Sequence, residues 1–387
     1  MTFKTLFPRA MEVAYLDSAA EGLPAPGCAE AFLRYCRDKE QGTPGRRFFH
    51  QAEAEALEMA AQLLKTKKDN VAFVSSASDA INILASSLEW NPDDEVIISD
   101  IEFPSNIIPW LSLKTRGVRV IVVPAENGAI TWDTVAGYIS SRTRLVSLSL
   151  VSYKTGAYLT GVPALSSELK RVGAYLCIDA TQALGRCPVS LEGVDYLMAS
   201  SFKWLMGPHG LGLVYLSSEL REQLRPTSLG WYSVENPFAP DPSQGYSLKA
   251  GAACLSAGMP NFPSLYALRE SLSFLLGLSV EAIYEKSRPL VERLRFGFQQ
   301  LGCDMLTPSD PGKASGIVAF RHAQSEAIGL ALKEKGIVVW GGDGRVRTSV
   351  HLYNDLEDIE RCLSAMASIL NMPEITGIRV GPGRGSG

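Results

Sequence analysis

The chain has 387 residues, of which 46% are hydrophobic and 20% are charged, and this composition predicts a soluble globular protein of two or more domains. Its formal net charge of −4 gives no general attraction to nucleic acid or to anionic membranes. No apolar run approaches the roughly 18 residues of a membrane span, and no signal peptide is evident. The seven cysteines form no Cys-x-x-Cys pair and the four histidines no metal-spaced pair, so we expect a cytoplasmic protein with reduced thiols and no metal.

The first half of the chain alternates short apolar runs with helical patterns, after an N-terminal arm that we assign to residues 1–20. Short apolar runs bounded by turn residues are typical of buried strands, and Ala-, Glu- and Leu-rich stretches are typical of helices. Strands that alternate with helices predict a mainly parallel sheet covered on both faces. The predicted helices are residues 29–39, 51–65 and 164–172, and the predicted strands are residues 71–74, 95–99, 118–123 and 144–150.

The turn after the first of these strands suits an anion. Ser76, Ala77 and Ser78 are small residues that lead into a helix, whose first N–H groups have no partner within the helix. Such free N–H groups and the helix dipole bind phosphate. A serine that merely caps the helix is the ordinary alternative for the same residues.

Three apolar runs between residues 174 and 216 predict buried strands, and polar residues follow the first two. Asp179 and Gln182 come after the first run, whereas Ser200 and Lys203 come at and after the end of the second. Strand ends are where an α/β sheet presents its chemistry. A glycine-rich loop with little side-chain bulk then follows Lys203. The three runs are residues 174–178, 194–199 and 211–216.

An acid and a lysine in this order suit pyridoxal phosphate. A lysine holds that cofactor as a Schiff base, and an acid keeps its pyridine nitrogen protonated so that the ring accepts electrons. Lys203 fits the Schiff base and Asp179 the acid, while Gln182 could donate a hydrogen bond to the phenolic oxygen and Ser200 could bind phosphate. A buried acid and an exposed lysine without any such role would be the better explanation for either residue alone, but the ordered set favours the cofactor.

The remainder of the chain differs in composition. Residues 226–251 are rich in Pro, Gly and aromatic residues, residues 266–301 have a helical pattern, and two more strands are predicted near residues 316–320 and 336–340. We therefore divide the chain into the N-terminal arm, a large cofactor-binding domain, a small C-terminal α/β domain and a flexible Gly-rich tail. The last three cover residues 21–250, 251–374 and 375–387, respectively.

The stretch around Lys203, together with Tyr-Leu-Asp-Ser-Ala-Ala from Tyr15 and Tyr-Asn-Asp from Tyr353, resembles the class V aminotransferases. These are fold-type I pyridoxal phosphate enzymes and include cysteine desulfurases, kynureninases and isopenicillin-N-epimerase-like proteins. The resemblance covers nearly the whole chain. It implies a large domain with a mainly parallel, seven-stranded sheet between helices, a smaller α/β domain, and a homodimer with the active site near the subunit boundary.

The resemblance also implies roles for single residues. Arg347 matches the family's Arg-x-Ser-x-x-x-Tyr-Asn motif, whose Arg binds the α-carboxylate of the amino-acid substrate. Phe103 takes the place of the residue that stacks on the cofactor ring, and Tyr153 that of an Asn that meets the substrate. The backbone at Ala19 borders the substrate pocket, and Trp231 lies in a loop near the site entrance. Ser76, Ala77 and Ser78 match the family's phosphate turn, although the glycine of that turn is missing.

Several positions depart from the family pattern. Residues 336–347 contain no cysteine, whereas desulfurases carry a nucleophilic cysteine there. Phe202 stands directly before the lysine, where many relatives have histidine, and Phe103 carries no exchangeable proton either. The acid–base group is therefore expected to be Lys203 alone or a group supplied by the substrate. Cys254, Ser256 and Met259 replace an Arg, a Glu and a Thr of the family pattern, of which the Thr commonly reaches the phosphate of the neighbouring subunit's cofactor. That last change puts the contact across the subunit boundary in doubt.

These observations favour an enzyme that acts on an α-amino acid through Lys203, but they leave the reaction open. Transamination is the first expectation. A β-eliminating C–S lyase is the second, and an epimerase is the third, because all three reactions share the removal of the α-proton. A scaffold that keeps the fold without turnover is a less favoured alternative, which the intact pair of Asp179 and Lys203 argues against.

Overall fold

The computed structural model describes residues 3–238, 241, 243, 245–372 and 375, and a seven-stranded sheet forms its centre. The strands up to residue 216 are β1 (Ala14–Tyr15), β2 (Val71–Val74), β3 (Glu95–Ser99), β4 (Arg119–Val123), β5 (Thr143–Ser149), β6 (Tyr175–Asp179), β7 (Tyr196–Ser200) and β8 (Gly212–Leu216). The order in the central sheet is β2-β8-β7-β6-β5-β3-β4. Within this sheet β8 runs antiparallel to both of its neighbours, and the other strands run parallel to one another.

Both faces of this sheet are covered, which explains why its strands are apolar runs without alternation. Successive side chains of a strand point to opposite faces. Ile97 therefore packs into one hydrophobic cluster, while Val96 and Ile98 on either side of it pack into another. A strand that is half-buried would instead have polar residues at every second position.

α-Helices cover both faces of this sheet and one face of a smaller sheet near the C-terminus. They are α1 (Pro8–Glu12), α2 (Cys28–Glu40), α3 (Arg46–Leu64), α4 (Ala77–Ser87), α5 (Ile108–Ser112), α6 (Trp132–Ala136), α7 (Val162–Val172), α8 (Ser218–Gln223), α9 (Phe262–Leu278), α10 (Val280–Gln300), α11 (Ser325–Glu334) and α12 (Leu356–Leu370). Helices α2, α3 and α9 pack together on the face to which Ile97 points, and α4 packs on the other face. None of the helices in the described part of the chain is long and apolar enough to cross a membrane.

A smaller sheet follows in the C-terminal third. Its strands are β9 (Asp304–Met305), β10 (Ile317–Arg321), β12 (Trp340–Gly342) and β13 (Arg345–Ser349), whereas β11 (Ile337–Val338) pairs in parallel with β1. The order is β12-β13-β10-β9, and all pairs are antiparallel. One face, with Val346 and Val350, packs on α10, α11 and α12. Residues at alternate positions on β13 therefore point to the other face, toward the large sheet.

The predicted architecture of a mainly parallel seven-stranded sheet with a smaller α/β unit is confirmed. Some element boundaries differ from prediction. Helix α3 begins at Arg46, so that Arg46 and Arg47 lie in its first turn rather than in a loop. The helical stretch predicted at residues 266–301 is two helices, because Ser279 between them has a left-handed φ of 65°.

The predicted division of the chain stays a prediction. Packing favours a boundary later than residue 251, since α9 belongs to the cluster of the large sheet. Ala14 and Leu16 of the predicted arm pack into the cluster of the small sheet. Except for Ile375, the predicted tail lies outside the described residues.

Gly212 permits a close approach of backbone segments. It opens β8 next to the turn between β2 and α4, and a Cβ atom at this position would lie 2.4 Å from the carbonyl carbon of Ser76. Neither backbone can move without displacing a buried strand. A side chain at residue 212 would therefore push the N-terminus of α4 away from the sheet.

We expect Gly212→Ala to destabilise the protein by about 1–3 kcal/mol, the usual cost of overpacking a close contact. Gly137→Ala is the matched control, because no atom lies within 4 Å of a Cβ at that position. The measurement is the urea dependence of unfolding for both variants. Equal midpoints for the two variants would show that the backbone approach at Gly212 is not a constraint.

Candidate active site

The carboxyl ends of the parallel strands bring the predicted site residues to one edge of the large sheet. Asp179 is the last residue of β6 and pairs in register with Ser149 on β5 and Met198 on β7. Lys203 follows β7 by three residues. The segment that follows β1 crosses this edge, where Gly22 N donates to the carbonyl oxygen of Phe202 at 2.9 Å.

The amine of Lys203 lies between two aromatic rings. Its Nζ is 5.2 Å from the ring centre of Phe103 and 5.6 Å from that of Phe202. Among the described residues it has no hydrogen-bond partner. Burial lowers the pKa of Lys203 to about 8, although the negative charge of Asp179 opposes this effect. A substantial fraction of the free amine is therefore neutral near pH 8 and able to accept a proton.

The carboxyl group of Asp179 is buried at the end of β6. Burial raises the pKa of Asp179, while hydrogen bonds from Thr181 and the charge of Lys203 oppose this effect. Thr181 N donates to Oδ1 at 2.8 Å, and Thr181 Oγ1 accepts from Ser200 N at 3.2 Å. Thr181 thus joins the ends of β6 and β7, a role that the sequence analysis missed. Its position two residues after an Asp is a known turn signal.

Gln182 connects three parts of the site. Its Oε1 accepts from Trp204 Nε1 at 2.7 Å, and its Nε2 donates to the carbonyl oxygen of Ala19 at 2.9 Å. Ala19 N in turn donates to Ser349 Oγ at 3.0 Å. A carboxamide has two N–H groups, so one of them remains for an oxygen in the site. Ala19 accordingly lies where the large sheet, the N-terminal segment and β13 meet.

The residues predicted to bind phosphate surround Gly212. Ser200 and Val74 pair with Gly212 from the two strands beside it, and the backbone of Ser76 and Ala77 lies directly against it. Ser76 Oγ caps α4 by accepting from Asp79 N at 3.0 Å, so the ordinary capping role is present as well. Ser78 Oγ shares a hydrogen bond of 2.7 Å with Ser105 Oγ. The helix N-terminus and Ser200 thus face the same space.

These residues fit pyridoxal phosphate. The structure provides an amine without a hydrogen-bond partner at Lys203 and a buried acid at Asp179, which a pyridinium N–H would stabilise in its charged form. The N-terminus of α4 and Ser200 offer donors for a phosphate group. Among the described residues, no cluster of three or more His, Cys, Asp or Glu side chains could hold a metal ion.

Glu102 fixes the position of Phe103. The Glu102 carboxylate accepts hydrogen bonds from Ser99 Oγ at 2.7 Å and Asn106 Nδ2 at 2.8 Å, and from the N–H and Oγ of Ser149 at 3.1 and 2.5 Å. Burial raises the pKa of Glu102, and these donors oppose the shift. Since both carboxylate oxygens are held, the chain direction at Phe103 is fixed. The Phe103 ring is 41% exposed and therefore remains free to stack on a ligand.

Arg347 reaches the site from β13. Its Nη1 donates to the carbonyl oxygen of Tyr153 at 3.3 Å, and its Nη2 lies 3.5 Å from Asp17 Oδ1. The guanidinium carbon is 5.6 Å from the ring centre of Trp340. Only 4% of Arg347 is exposed, and its Nε has no hydrogen bond to any described residue. Burial lowers the pKa of Arg347, and the negative charge of Asp17 opposes this effect.

Asp17 and Arg345 are site residues that the sequence analysis missed. Burial raises the pKa of Asp17 to about 6, despite the opposing charge of Arg347. The Arg345 guanidinium carbon lies 5.0 Å from the ring centre of Tyr153. Arg345 could have been identified from the sequence, because a spacing of two residues places it on the same face of a strand as Arg347. Tyr153 in turn meets Phe103 edge-on, with ring centres 5.1 Å apart.

The structure does not bring Trp231 to these residues. Its ring contacts in the described part of the chain are with Tyr232 and Phe238 of its own loop, at 5.5 and 5.8 Å between ring centres. It is 44% exposed. A role of Trp231 in binding substrate therefore remains a prediction that rests on the resemblance alone.

Known proteins are similar to this chain in sequence. Residues 14–362 match the family described as aminotransferase class-V. A probable cysteine desulfurase from Methanothermobacter thermautotrophicus is 27% identical over 341 residues, which cover 82% of this chain and 84% of the relative. An uncharacterized aminotransferase from Bacillus subtilis, YcbU, is 28% identical over 371 residues and covers 95% and 97% of the two chains.

A solved structure shares the fold. The cystine C–S lyase C-DES, in complex with its reaction product cysteine persulfide, superposes with a TM-score of 0.84 and is 21% identical, covering 93% of this chain and 99% of that one. The match to the family covers most of this chain, including Asp179, Lys203 and Arg347. The chain therefore belongs to the class V aminotransferase family and is a pyridoxal-phosphate-dependent enzyme of the transferase or lyase type.

Proposed function

We propose that this protein is a lyase that removes a β-substituent from an α-amino acid, most readily one joined through sulfur. The observation that carries the proposal is the turn before Arg347. Asp343 and Gly344 have left-handed φ values of 50° and 70° and connect β12 directly to β13. The pattern is that of a two-residue hairpin turn. It contains no cysteine and leaves no loop on which one could reach the substrate.

The comparisons support the lyase more than the transamination that the sequence favoured first. One relative is a probable cysteine desulfurase, and one structural neighbour is a cystine C–S lyase. A desulfurase passes sulfur to a protein cysteine, which the short turn here does not provide. A C–S lyase releases its sulfur product directly and has no need of that residue.

Lys203 would hold the cofactor covalently, with Asp179 at the pyridine nitrogen and Gln182 at the phenolic oxygen. When bound, the cofactor supplies an electron sink for the pair left at the α-carbon. Displaced by the substrate amine, Nζ of Lys203 takes the α-proton, because burial has made this amine a base near pH 8. The β-substituent leaves with its bonding electron pair, and water converts the remaining unsaturated amino acid to a 2-oxo acid and ammonia.

Arg347 and Asp17 would control substrate entry. The α-carboxylate offers two oxygens to the guanidinium fork of Arg347, which pairs with Asp17 across a gap of 3.5 Å in the absence of substrate. The two carboxylates compete for one cation. Protonation of Asp17 removes the competitor, and the carboxylate of the substrate then binds more tightly.

Transamination is the second candidate function, favoured by the name of the relative YcbU. It requires that Lys203 return the proton to the cofactor rather than let a substituent leave. Phe103 and Phe202, the aromatic neighbours of Nζ, carry no exchangeable proton, so Lys203 would do this alone. The two functions therefore differ in the substrate's leaving group more than in the protein.

We also infer a cytoplasmic homodimer. Phe238 is 84% exposed and packs on Trp231, which is 44% exposed, with 5.8 Å between ring centres, and a second subunit would cover this apolar pair. The free cysteines suit a reducing compartment.

The reaction type is decided by incubating the holoprotein with an S-substituted cysteine and no added 2-oxo acid. We expect thiol, 2-oxo acid and ammonia to accumulate over many turnovers while the visible absorbance band of the cofactor is retained. Stoichiometric loss of that band, restored by a 2-oxo acid, would instead establish transamination.

Lys203→Ala should lower this turnover by about 10²- to 10⁴-fold, the usual contribution of a general base. Lys114→Ala is the matched control, because Lys114 is exposed on the surface. The visible band should shift in the first variant and persist in the second. Unchanged bands in both variants would exclude Lys203 as the covalent anchor.

Carboxylate binding should depend on pH through Asp17. Because the pKa of Asp17 is near 6, the protonated fraction of its carboxyl group rises from about 3% at pH 7.5 to about 50% at pH 6, so affinity for a simple carboxylate should rise by about 15-fold. Asp17→Asn should bind tightly at both pH values. Calorimetric titration with pentanoate measures the affinities, with Asp304→Asn as the control at an exposed carboxylate. A parallel pH dependence in wild type and Asp17→Asn would refute the competition.

A further inference from the structure

A second arginine lies beside the proposed carboxylate site. Arg345 and Arg347 are two residues apart on β13, so their side chains leave the same face and their Cα atoms are about 7 Å apart. Both contact Tyr153, Arg345 at the ring and Arg347 at the carbonyl oxygen. Arg345 also lowers the pKa of Tyr153, against the larger effect of burial. The two guanidinium groups therefore flank one tyrosine on the side that faces the large sheet.

The charge of Arg345 lacks a close partner within the described residues. Only 6% of Arg345 is exposed, and its Nε has no hydrogen bond. Its one carboxylate neighbour there is Asp343, at 3.4 Å, and the side chain of Asp343 is 68% exposed. A pair with one member in water contributes little, whereas a buried cation without a partner is costly. Within the described residues, the carboxylate that the fold offers to this buried cation is thus an exposed one.

Space is available next to this cation. Arg345 lines a cavity of about 680 Å³ between the large sheet and the small one, together with Thr155, Ile101 and Asp343. Ile101 is two residues before Phe103 and Thr155 two residues after Tyr153, so the chain segments that carry these aromatic residues also border the cavity. The Tyr153 ring connects the two places, because it contacts Phe103 at 5.1 Å and the Arg345 guanidinium carbon at 5.0 Å.

We propose that Arg345 binds a second anionic group, at the far end of the substrate side chain, so that the enzyme acts on an acidic α-amino acid. The inference rests on the proposed function only in assigning the α-carboxylate to Arg347. The spacing of the two arginines suits two acid groups separated by a short side chain. Arg345 meets the second group with the same guanidinium fork by which Arg347 meets the first. Without substrate, the guanidinium group of Arg345 pairs with the carboxylate of Asp343 at 3.4 Å.

The test is calorimetric binding of two five-carbon ligands to the holoprotein. Glutarate has a carboxylate at each end and pentanoate has one, and neither carries an amine that could react with the cofactor. We expect wild type to bind glutarate at least about tenfold more tightly than pentanoate, as a charge-assisted contact implies. Equal affinities in wild type would overturn the proposal.

Single-residue variants test whether Arg345 causes the preference for glutarate over pentanoate. Arg345→Gln should reduce it to less than about twofold and leave pentanoate affinity nearly unchanged, while Arg345→Lys should retain part of it. Arg293→Gln is the matched control, because Arg293 lies on α10, is ion-paired with Glu360 at 2.7 Å and does not line this cavity. A preference that survives Arg345→Gln, or an equal loss for both ligands, would refute the role of Arg345.

The proposed function is tested separately. Binding of glutarate needs no turnover, so the preference for glutarate over pentanoate can be measured whether or not the protein catalyses elimination. Conversely, a lyase that processes neutral and acidic cysteine derivatives equally well would retain the proposed function and contradict the inference.

Discussion

The burial of Lys203 beside Asp179 is the constraint on which the rest of the site depends. An amine in this position is held with a pKa near 8 by the loss of water, and a carboxyl group at the end of β6 partly restores its charge. Both effects need a closed edge of the sheet. The segment after β1 provides that closure, because Gly22 lies directly against the backbone of Lys203 and Phe202. The packing that closes this edge of the sheet therefore also lowers the pKa of Lys203.

The small sheet completes the site rather than adding a separate function. The alternation of β13 puts Val346 and Val350 into the core of the small unit and leaves the arginines and Ser349 for the active site. Ser349 Oγ bonds the backbone of Ala19, and Ala19 bonds Gln182. A shift of β13 by one residue would exchange the two faces and turn Arg345 and Arg347 away from the large sheet. The hydrophobic register of the small unit thus fixes the position of charges in the large one.

In the proposed substrate pocket, the buried positive charges are not fully balanced by carboxylates. Buried Arg347 faces Asp17, whose own burial weakens it as a permanent partner, and buried Arg345 pairs with the exposed Asp343. Such a pocket is costly when empty, since each charge has lost water without a full replacement. An anionic ligand would replace the favourable contacts with water that the arginines lost on burial. The same argument explains why the neighbouring Glu102 plays a different part, because four hydrogen bonds satisfy its carboxylate and leave nothing for a ligand.

Much of the fold was predictable from sequence. The strands at Val71–Val74 and Glu95–Ser99 were predicted to the residue, because apolar runs between turn residues have few other solutions. Lys203 and Asp179 were placed correctly at strand ends for the same reason. The interruption at Ser279 and the start of α3 at Arg46 were missed, since they depend on local dihedral angles and packing that periodicity does not report.

The sequence by itself determined the fold class, the cofactor and the order of the residues that meet it, because these follow from local patterns and from a family motif. Only the tertiary structure decided which distant residues share the pocket. Asp17 and Arg347 are 330 residues apart and meet across 3.5 Å, and Arg345 becomes a site residue only because the register of β13 turns it inward. Such contacts depend on how two sheets pack, and no single stretch of sequence encodes that arrangement.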